Sequence, residues 1–203
     1  MAKKSVKKAT VTTTTGSVTA TPANEPKRKD VVLAVLGHDQ VLTENSDGAR
    51  DFYSQSRLGE PDGSGRIQLS LYEALYLAEK EKLKIVTPRN KEVPIQTFIR
   101  KAKQAQKSFW TKYLVFRDMR NRGYIVKTAL KFGADFRVYE RGVKPGEDHA
   151  KWILYPIHES QSLTWHDFSA KNRVAHSTKK HLLLGIVDEE GDVTYYQVSW
   201  ERP

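Results

Sequence analysis

Three side chains in the last third of the chain could together transfer protons and stabilise charge. Tyr139 ends the segment Gly133-Ala-Asp-Phe-Arg-Val-Tyr139, His149 follows ten residues later, and Lys180 ends Arg173-Val-Ala-His-Ser-Thr-Lys-Lys180. A phenol and an imidazole can exchange protons, and an ammonium can stabilise the negative charge that develops between them. RNA carries its own nucleophile, the 2′-hydroxyl beside each phosphodiester. Such a set could therefore cleave RNA without a carboxylate pair, a cysteine or a metal.

Each of these residues also has a common structural role. A tyrosine on a strand usually packs, a histidine before a strand is usually solvated, and a lysine at a helix end usually offsets the helix dipole. Alternation over residues 134–141 places Phe136 and Val138 on one face of a strand and Arg137 and Tyr139 on the other. If the apolar pair faces the core, Tyr139 points outward. Spacing alone leaves both interpretations open.

The bulk composition limits the class of protein. The 203 residues can bury a substantial core, and 38% hydrophobic with 29% charged residues is typical of a soluble globular protein. No apolar run approaches the ~20 residues of a membrane-spanning helix, so we expect no membrane contact. The absence of cysteine excludes disulfides and thiolate metal sites and favours a reducing cytoplasm. The lysine- and threonine-rich start lacks the apolar segment of a secretory signal.

The net charge of +10 is unevenly distributed. Residues 1–30 hold seven basic and two acidic residues, whereas the other 173 residues hold 27 basic and 22 acidic ones. Half of the excess therefore lies in a segment with almost nothing to bury, which predicts a flexible basic arm. The remainder is only mildly basic, which is compatible with a nucleic-acid site but does not demonstrate one.

Residues 31–108 predict a small N-terminal α/β domain. Its clearest signal is a Ser-x-x-Glu capping box, formed by Ser70 and Glu73, in front of an apolar stripe with helical spacing. Pro94 is placed to open a later helix. The other predicted elements are strands over 31–36, 40–43 and 84–86, a loop over 58–66 and a helix over 95–105.

Residues 109–203 predict a second domain, a mixed β-sheet flanked by two helices as in some nucleases, so the fold class is α+β. Ser108 is a good N-cap, and the aromatic residues after it recur at helical spacing. Aromatic side chains so spaced usually form core, and we predict that they do here. The predicted elements are helices over 109–122 and 164–179 and strands over 124–128, 135–141, 151–157, 182–187 and 193–200.

From about residue 31 to residue 203 the chain resembles an archaeal tRNA-splicing endonuclease subunit. The first domain contributes Ser70-Leu-Tyr-Glu-Ala-Leu-Tyr-Leu77. The second contributes Arg122-Gly-Tyr-Ile-Val-Lys-Thr-Ala-Leu-Lys-Phe-Gly-Ala-Asp-Phe-Arg-Val-Tyr-Glu-Arg-Gly142, Arg173-Val-Ala-His-Ser-Thr-Lys-Lys-His-Leu-Leu-Leu-Gly-Ile-Val-Asp188 and Gly191-Asp-Val-Thr-Tyr-Tyr196. These long matches occur in the same order along both domains.

The resemblance implies a reaction and a catalytic set. This family cuts precursor tRNA at bulge–helix–bulge intron boundaries without a metal or cofactor, leaving a 2′,3′-cyclic phosphate and a 5′-hydroxyl. Its catalytic tyrosine, histidine and lysine fall on Tyr139, His149 and Lys180. These would act as base, acid and stabiliser of the phosphorane. A phenol with a pKa of ~10 is a poor base at neutrality unless nearby cations, such as Arg137 or Lys180, lower it.

The resemblance also implies RNA and subunit contacts. Arg173 matches the arginine that stacks on a flipped-out bulge base, a contact that suits a planar guanidinium. An acidic loop in the family inserts into a groove of a neighbouring subunit, and the last strand makes an apolar dimer contact, although these apolar residues could equally be core. The expected subunit contacts of a homotetramer are Asp188, Glu189, Glu190 and Asp192 in the loop, and Tyr196, Val198 and Trp200 on the strand.

Several alternatives can be weighed from the residues. A catalytic subunit that needs a different partner chain stays open, and so does a non-catalytic structural subunit or RNA-binding protein, although no member of the triad is lost. A metallonuclease is disfavoured because Asp135, Glu140 and Asp148 are scattered and no zinc-like histidine spacing is present. No Gly-x-x-x-x-Gly-Lys-Ser/Thr loop supports nucleotide hydrolysis.

Overall fold

The computed structural model describes residues 31–129, 133–143, 145–146 and 148–201, so the predicted arm at residues 1–30 lies outside it. The predicted α+β class is confirmed, with two five-stranded mixed sheets. The first part of the chain contains β1 Val32–Leu36, β2 Gln40–Thr43, α1 Asp47–Ser56, β3 Glu60–Pro61, β4 Ile67–Ser70, α2 Leu71–Glu79, β5 Leu83–Val86 and α3 Ile95–Ala105. The second contains α4 Phe109–Asn121, β6 Ile125–Thr128, β7 Phe136–Tyr139, β8 Trp152–His158, α5 Trp165–Ser177, β9 His181–Val187 and β10 Val193–Val198.

The first sheet has the strand order β3-β4-β2-β1-β5, and only its β1–β5 pair is parallel. The capping box at the start of α2 is confirmed. The Ser70 hydroxyl accepts from the Glu73 amide at 3.3 Å, and the Glu73 carboxylate accepts from the Ser70 amide at 2.9 Å. Helix α1 was not predicted because only Ala49 and Phe52 of its ten residues are buried, which leaves no clear apolar stripe.

The second sheet has the order β10-β9-β8-β7-β6, with β8 and β9 parallel and the other pairs antiparallel. Helix α4 packs on one face, where Phe136 and Val138 lie, and α5 packs on the other, where Ile153 and Leu182 meet Ala175. The prediction of one sheet between two helices is therefore confirmed. Alternating side chains of the same strands thus enter two separate layers of core.

The aromatic residues of α4 form core, as predicted. Phe109, Tyr113 and Phe116 are almost fully buried, and the ring of Phe109 stacks on that of Tyr72 in α2 with centroids 5.1 Å apart. Tyr72 also meets Phe136 on β7 edge-on at 5.3 Å. Through these rings, helix α2 of the first part of the chain contacts the second sheet directly. One continuous apolar cluster therefore spans both parts of the chain.

Ser108 occupies the N-cap position of α4, as predicted, but its side chain does not cap the helix. Ser108 has a left-handed backbone with φ 57°, and its hydroxyl makes no capping hydrogen bond. Helix α3 ends at Ala105, and the amide of Phe109 donates to the carbonyl of Gln106 at 3.2 Å. The tight link between the two helices therefore fixes the backbone of Ser108 in a conformation that a serine N-cap does not use.

A buried ion cluster joins the two sheets. Lys127 on the edge strand β6 is only 5% exposed. Its ammonium donates to the carbonyl of Gly59 at 2.6 Å and lies 3.0 Å from the carboxylate of Glu60 and 3.8 Å from that of Glu73. The carboxylate of Glu73 also accepts from the amide of Gly59 at 2.8 Å. A buried lysine is tolerated because these groups replace its water.

We expect Glu73→Ala to lower the free energy of unfolding by about 3 kcal/mol or more, because it leaves a buried ammonium short of a carboxylate and removes the capping box. The control is Glu92→Ala, which breaks the exposed Lys84–Glu92 pair (2.7 Å) and should cost less than about 1 kcal/mol. Urea unfolding measures both. Equal losses would show that burial adds nothing to the Lys127 cluster.

Candidate active site

Three adjacent strands of the second sheet end at the same edge. Val138 on β7 pairs with Trp152 on β8, and Trp152 pairs with His181 on β9. Because β8 is antiparallel to β7 and parallel to β9, the carboxyl end of β7 lies beside the amino ends of β8 and β9. Residues that follow Val138 or precede Trp152 and His181 therefore converge at this edge.

The predicted site residues lie immediately beyond that row. Tyr139 follows Val138, Lys180 precedes His181, and His149 lies two residues before Lys151, whose amide donates to the carbonyl of Val138 at 2.9 Å. Neighbouring strands are about 4.8 Å apart, so the backbones of Tyr139 and Lys180 are about 10 Å apart. By alternation both side chains extend from the face that α5 covers. A phenol and a lysine side chain can span that separation to a common phosphate.

Tyr139 lies on the face opposite Val138, but the expectation that it points outward is wrong, because it is only 4% exposed. Burial raises the pKa of its phenol above 10. The positive charge of Arg137 lowers that pKa, and the negative charge of Glu60 raises it, with burial the largest of the three effects. Glu60 is on β3 and pairs with Lys127 on β6. The edge of the first sheet therefore comes close to Tyr139, which sequence alternation could not show.

Lys180 and His149 differ in their surroundings. Lys180 is half-buried, and its ammonium donates to the carbonyl of Thr178 at 2.9 Å. Lys179 before it has a left-handed backbone with φ 54°, which turns the chain from the end of α5 into β9. His149 is exposed in the segment between β7 and β8, and its amide donates to the carboxylate of Asp148 at 2.6 Å. The imidazole of His149 is therefore accessible from solvent, whereas the phenol of Tyr139 is enclosed by the protein.

Arg173 lies on α5, which covers the same face of the sheet. Its side chain is exposed, and its Nε donates to the carbonyl of Ser169 at 3.5 Å. Helix α5 ends at Ser177, so Lys180 lies beyond it at the start of β9. The exposed guanidinium of Arg173 can meet a planar partner from solvent.

The predicted subunit contacts lie at the far edge of the sheet. The acidic segment forms the turn between β9 and β10, where the amide of Asp188 donates to the carbonyl of Asp192 at 3.1 Å. On β10 and just after it, Tyr196 is 58% and Trp200 is 55% exposed, whereas Val198 is half-buried. Tyr196 and Trp200 are therefore not core of this chain, and β10 presents an edge with large exposed aromatic rings.

In the part of the chain that the structure describes, no three His, Cys, Asp or Glu side chains are grouped so that they could hold a metal ion. Over the same residues, no helix combines the length and apolar character needed to cross a membrane. Sequence reasoning did not identify Glu60 or Lys127 as neighbours of the site, because nothing in the sequence indicates that β3 meets β6.

Known proteins show the same two-part organisation. Residues 109–195 match the tRNA intron endonuclease catalytic C-terminal domain, and residues 32–99 match the tRNA intron endonuclease N-terminal domain. The chain belongs to the tRNA intron endonuclease family. It is thus a member of a family of enzymes, as predicted from the sequence.

Relatives share most of the chain with this protein. It is 44% identical to the tRNA-splicing endonuclease of Methanothermobacter thermautotrophicus over 168 residues. The aligned residues make up 83% of this chain and 96% of the relative. The enzyme of that name from Pyrococcus furiosus is 39% identical over 86% of this chain and 99% of its own length. The tRNA-splicing endonuclease of Nanoarchaeum equitans is 40% identical over 67% of this chain and 90% of its own length. These archaeal relatives extend across both sheets.

We expect the phenol of Tyr139 to titrate above pH 10. Absorbance titration of the parent minus Tyr139→Phe isolates it, and Tyr196→Phe controls for the loss of one tyrosine. Because the folded-state pKa is raised, this group stabilises the fold below about pH 10, and the contribution is lost as pH rises through the folded-state pKa. A difference curve with its midpoint at or below 10 would contradict the burial described above.

Proposed function

We propose that this protein is a metal-independent tRNA-splicing endoribonuclease that cleaves precursor tRNA at bulge–helix–bulge intron boundaries. The observation that carries the proposal is the common edge of β7, β8 and β9, which brings Tyr139, His149 and Lys180 to one end of the sheet. Membership of the family supports tRNA introns as the substrate. The exposed Arg173 on the same side is available to stack on a bulged base.

The proposed reaction is an internal transesterification. Tyr139 takes the proton of the 2′-hydroxyl as that oxygen attacks the adjacent phosphorus. The bond from phosphorus to the 5′-oxygen breaks, and His149 gives its proton to the leaving oxygen. Lys180 stabilises the extra negative charge of the phosphorane. The products are a 2′,3′-cyclic phosphate and a 5′-hydroxyl, and no water or metal enters the bonding changes.

The burial of Tyr139 constrains this mechanism. Burial raises the pKa of its phenol, which favours the protonated form over the phenolate. The base therefore depends on positive charge nearby to favour phenolate as the proton is transferred. Lys180 supplies one such charge at the same edge, and Arg137 supplies another on the same strand.

We also propose where the reaction occurs and how the chain is divided. A cysteine-free enzyme of tRNA maturation suits the cytoplasm. We place the boundary between the two domains at residues 108 and 109, in the link between α3 and α4, because the first sheet is complete before it and the second sheet begins after it.

The proposed function predicts that the parent protein cleaves a bulge–helix–bulge RNA in excess chelator and that His149→Ala is slower by at least about 10²-fold, since an acid contributes on that scale. His166→Ala is the matched control, because its side chain is 85% exposed on α5, and it should cleave at the parent rate. Single-turnover assays with end-group analysis of the products measure this. No cleavage by the parent, or full cleavage by His149→Ala, would overturn the assignment.

We propose that the active particle is a homotetramer. A polar groove of about 530 Å³ between the two sheets has a lining of mixed charge, with the lysines Lys107, Lys112 and Lys127 and the carboxylates Asp39, Glu60, Glu73 and Asp135. Lys112 pairs with Asp135, and Lys127 pairs with Glu60 and Glu73. Among the described residues Lys107 has no carboxylate oxygen within 4.0 Å, and in this proposal the exposed carboxylates of Glu189 and Glu190 in the turn of another copy pair with it. The exposed rings on β10 suit a contact between two copies.

We expect light scattering to give four copies for the parent. Glu189→Lys combined with Glu190→Lys should give two copies, because each copy then presents two cations in place of two carboxylates at the proposed contact with Lys107 of its neighbour. The control, Glu44→Lys combined with Glu92→Lys, makes the same charge change at exposed positions of the first sheet. A parent that is an inactive monomer or dimer would favour the alternative of a separate partner chain.

A further inference from the structure

We propose that Arg137 binds the scissile phosphate and is a second catalytic cation beside Lys180. The inference rests on the proposed function, because it assigns a role within the same site. Arg137 is not one of the three predicted catalytic residues. Four observations carry it: the position of Arg137, its lack of a carboxylate partner, the state of its charged neighbours and the chemistry of a guanidinium.

The first observation is position. Arg137 and Tyr139 are two residues apart on β7 and therefore share one face of the strand. The central carbon of the guanidinium is 5.9 Å from the centroid of the Tyr139 ring. Arg137 is half-buried, so its side chain lies along the ring rather than extending into solvent. A phosphate held by Arg137 would lie beside the phenol that must receive a proton from it.

The second observation is that Arg137 has no counterion among the residues that the structure describes. Its Nε is buried and has no hydrogen-bond partner among the residues that the structure describes, and no carboxylate oxygen of those residues lies within 4.0 Å. Buried donors are nearly always paired, and an unpaired donor on a charged group costs more than a neutral one. Arg137 as a whole is only half-buried, and in this proposal the anionic RNA backbone supplies the negative charge that its guanidinium lacks.

The third observation is that nearby carboxylates already form ion pairs with other cations. Glu60 and Glu73 surround the ammonium of Lys127, the direct cross-strand partner of Arg137. Glu140, just after Tyr139, pairs with Lys151. Two cations therefore face each other across β6 and β7. The carboxylates of Glu60 and Glu73 compensate the charge of Lys127. Within the described part of the chain, Arg137 is therefore the member of this pair that has no carboxylate partner, and we assign its charge to the ligand.

The fourth observation is chemical. A guanidinium presents several donors in one plane, which matches two oxygens of a phosphate, and it can lie against an aromatic ring at the same time. The phosphorane carries one more negative charge than the starting diester, so the contact becomes stronger in the transition state. The same positive charge favours phenolate at Tyr139. One side chain would thus assist both proton removal and charge stabilisation.

The experiment compares Arg137→Gln, Arg137→Lys and the control Arg122→Gln on a bulge–helix–bulge RNA. Arg122 lies 5.6 Å over the Tyr195 ring, but it pairs with Asp118 at 2.7 Å at the end of α4. We expect Arg137→Gln to slow single-turnover cleavage by about 10²-fold, as the loss of one stabilising donor does. Binding of an RNA with a 2′-deoxy cleavage site should weaken less than threefold. Arg137→Lys should recover part of the rate, and Arg122→Gln should cleave as the parent does.

Two readouts separate this role from a merely structural one. In Arg137→Gln the alkaline titration assigned to Tyr139 should move to higher pH, because a nearby positive charge is lost. In Arg137→Ala, added guanidinium ion should raise the cleavage rate at least fivefold, and sodium at equal ionic strength should not. Far-ultraviolet circular dichroism establishes that each variant is folded.

The outcomes distinguish the inference from the proposed function. If Arg137→Gln cleaves within threefold of the parent while Lys180→Ala is inactive, the role of Arg137 is overturned and the triad stands. If Arg137→Gln is slow but Arg137→Ala shows no rescue by guanidinium and the Tyr139 titration is unmoved, Arg137 is structural and the inference is again overturned. If the parent protein does not cleave the RNA, the proposed function fails and this inference fails with it.

Discussion

The site depends on the hydrogen-bond register between β7, β8 and β9. Val138, Trp152 and His181 stand in one row, and this row determines which residues lie just past the end of each strand. A slip of one residue would move Tyr139 or Lys180 to the face that α4 covers, because successive side chains point to opposite faces. The register is strongly specified, since both faces of the sheet are buried against a helix. Two independent layers of core would have to be broken to change it.

At Tyr139, burial and nearby positive charge have opposite effects on the pKa of the phenol. Packing the phenol fixes its position but raises its pKa, which disfavours the ionised form that a base needs. A site of this kind functions only if cations are held close to the ring, and the substrate itself brings negative charge. Arg137 meets this requirement, because its guanidinium carbon is 5.9 Å from the centroid of the ring and its partial burial weakens the screening of its charge by water.

The sequence predicted the elements that carry long periodic patterns and missed those set by contacts between distant segments. The capping box at Ser70 and the aromatic stripe of α4 are local signals, and both are present. Helix α1 has too few buried residues to show a stripe, and the backbone of Ser108 is set by the link between two helices. The pKa of Tyr139 depends in part on the negative charge of Glu60, which comes from nearly eighty residues earlier in the chain. No periodicity encodes such a contact.

The contact between the first sheet and strand β6 gives the first sheet more than a structural role. Strand β6 is an edge strand, so Lys127 has no further strand of its own sheet beyond it, and the groups that compensate its charge come from residues 59–73 of the first sheet. Without them, Lys127 and Arg137 would be two uncompensated cations facing each other across β6 and β7, which is destabilising by repulsion and desolvation. By compensating Lys127 alone, the first sheet leaves the charge of Arg137 directed at the edge where the strands converge. The two domains are then coupled through electrostatics as well as through their shared apolar core.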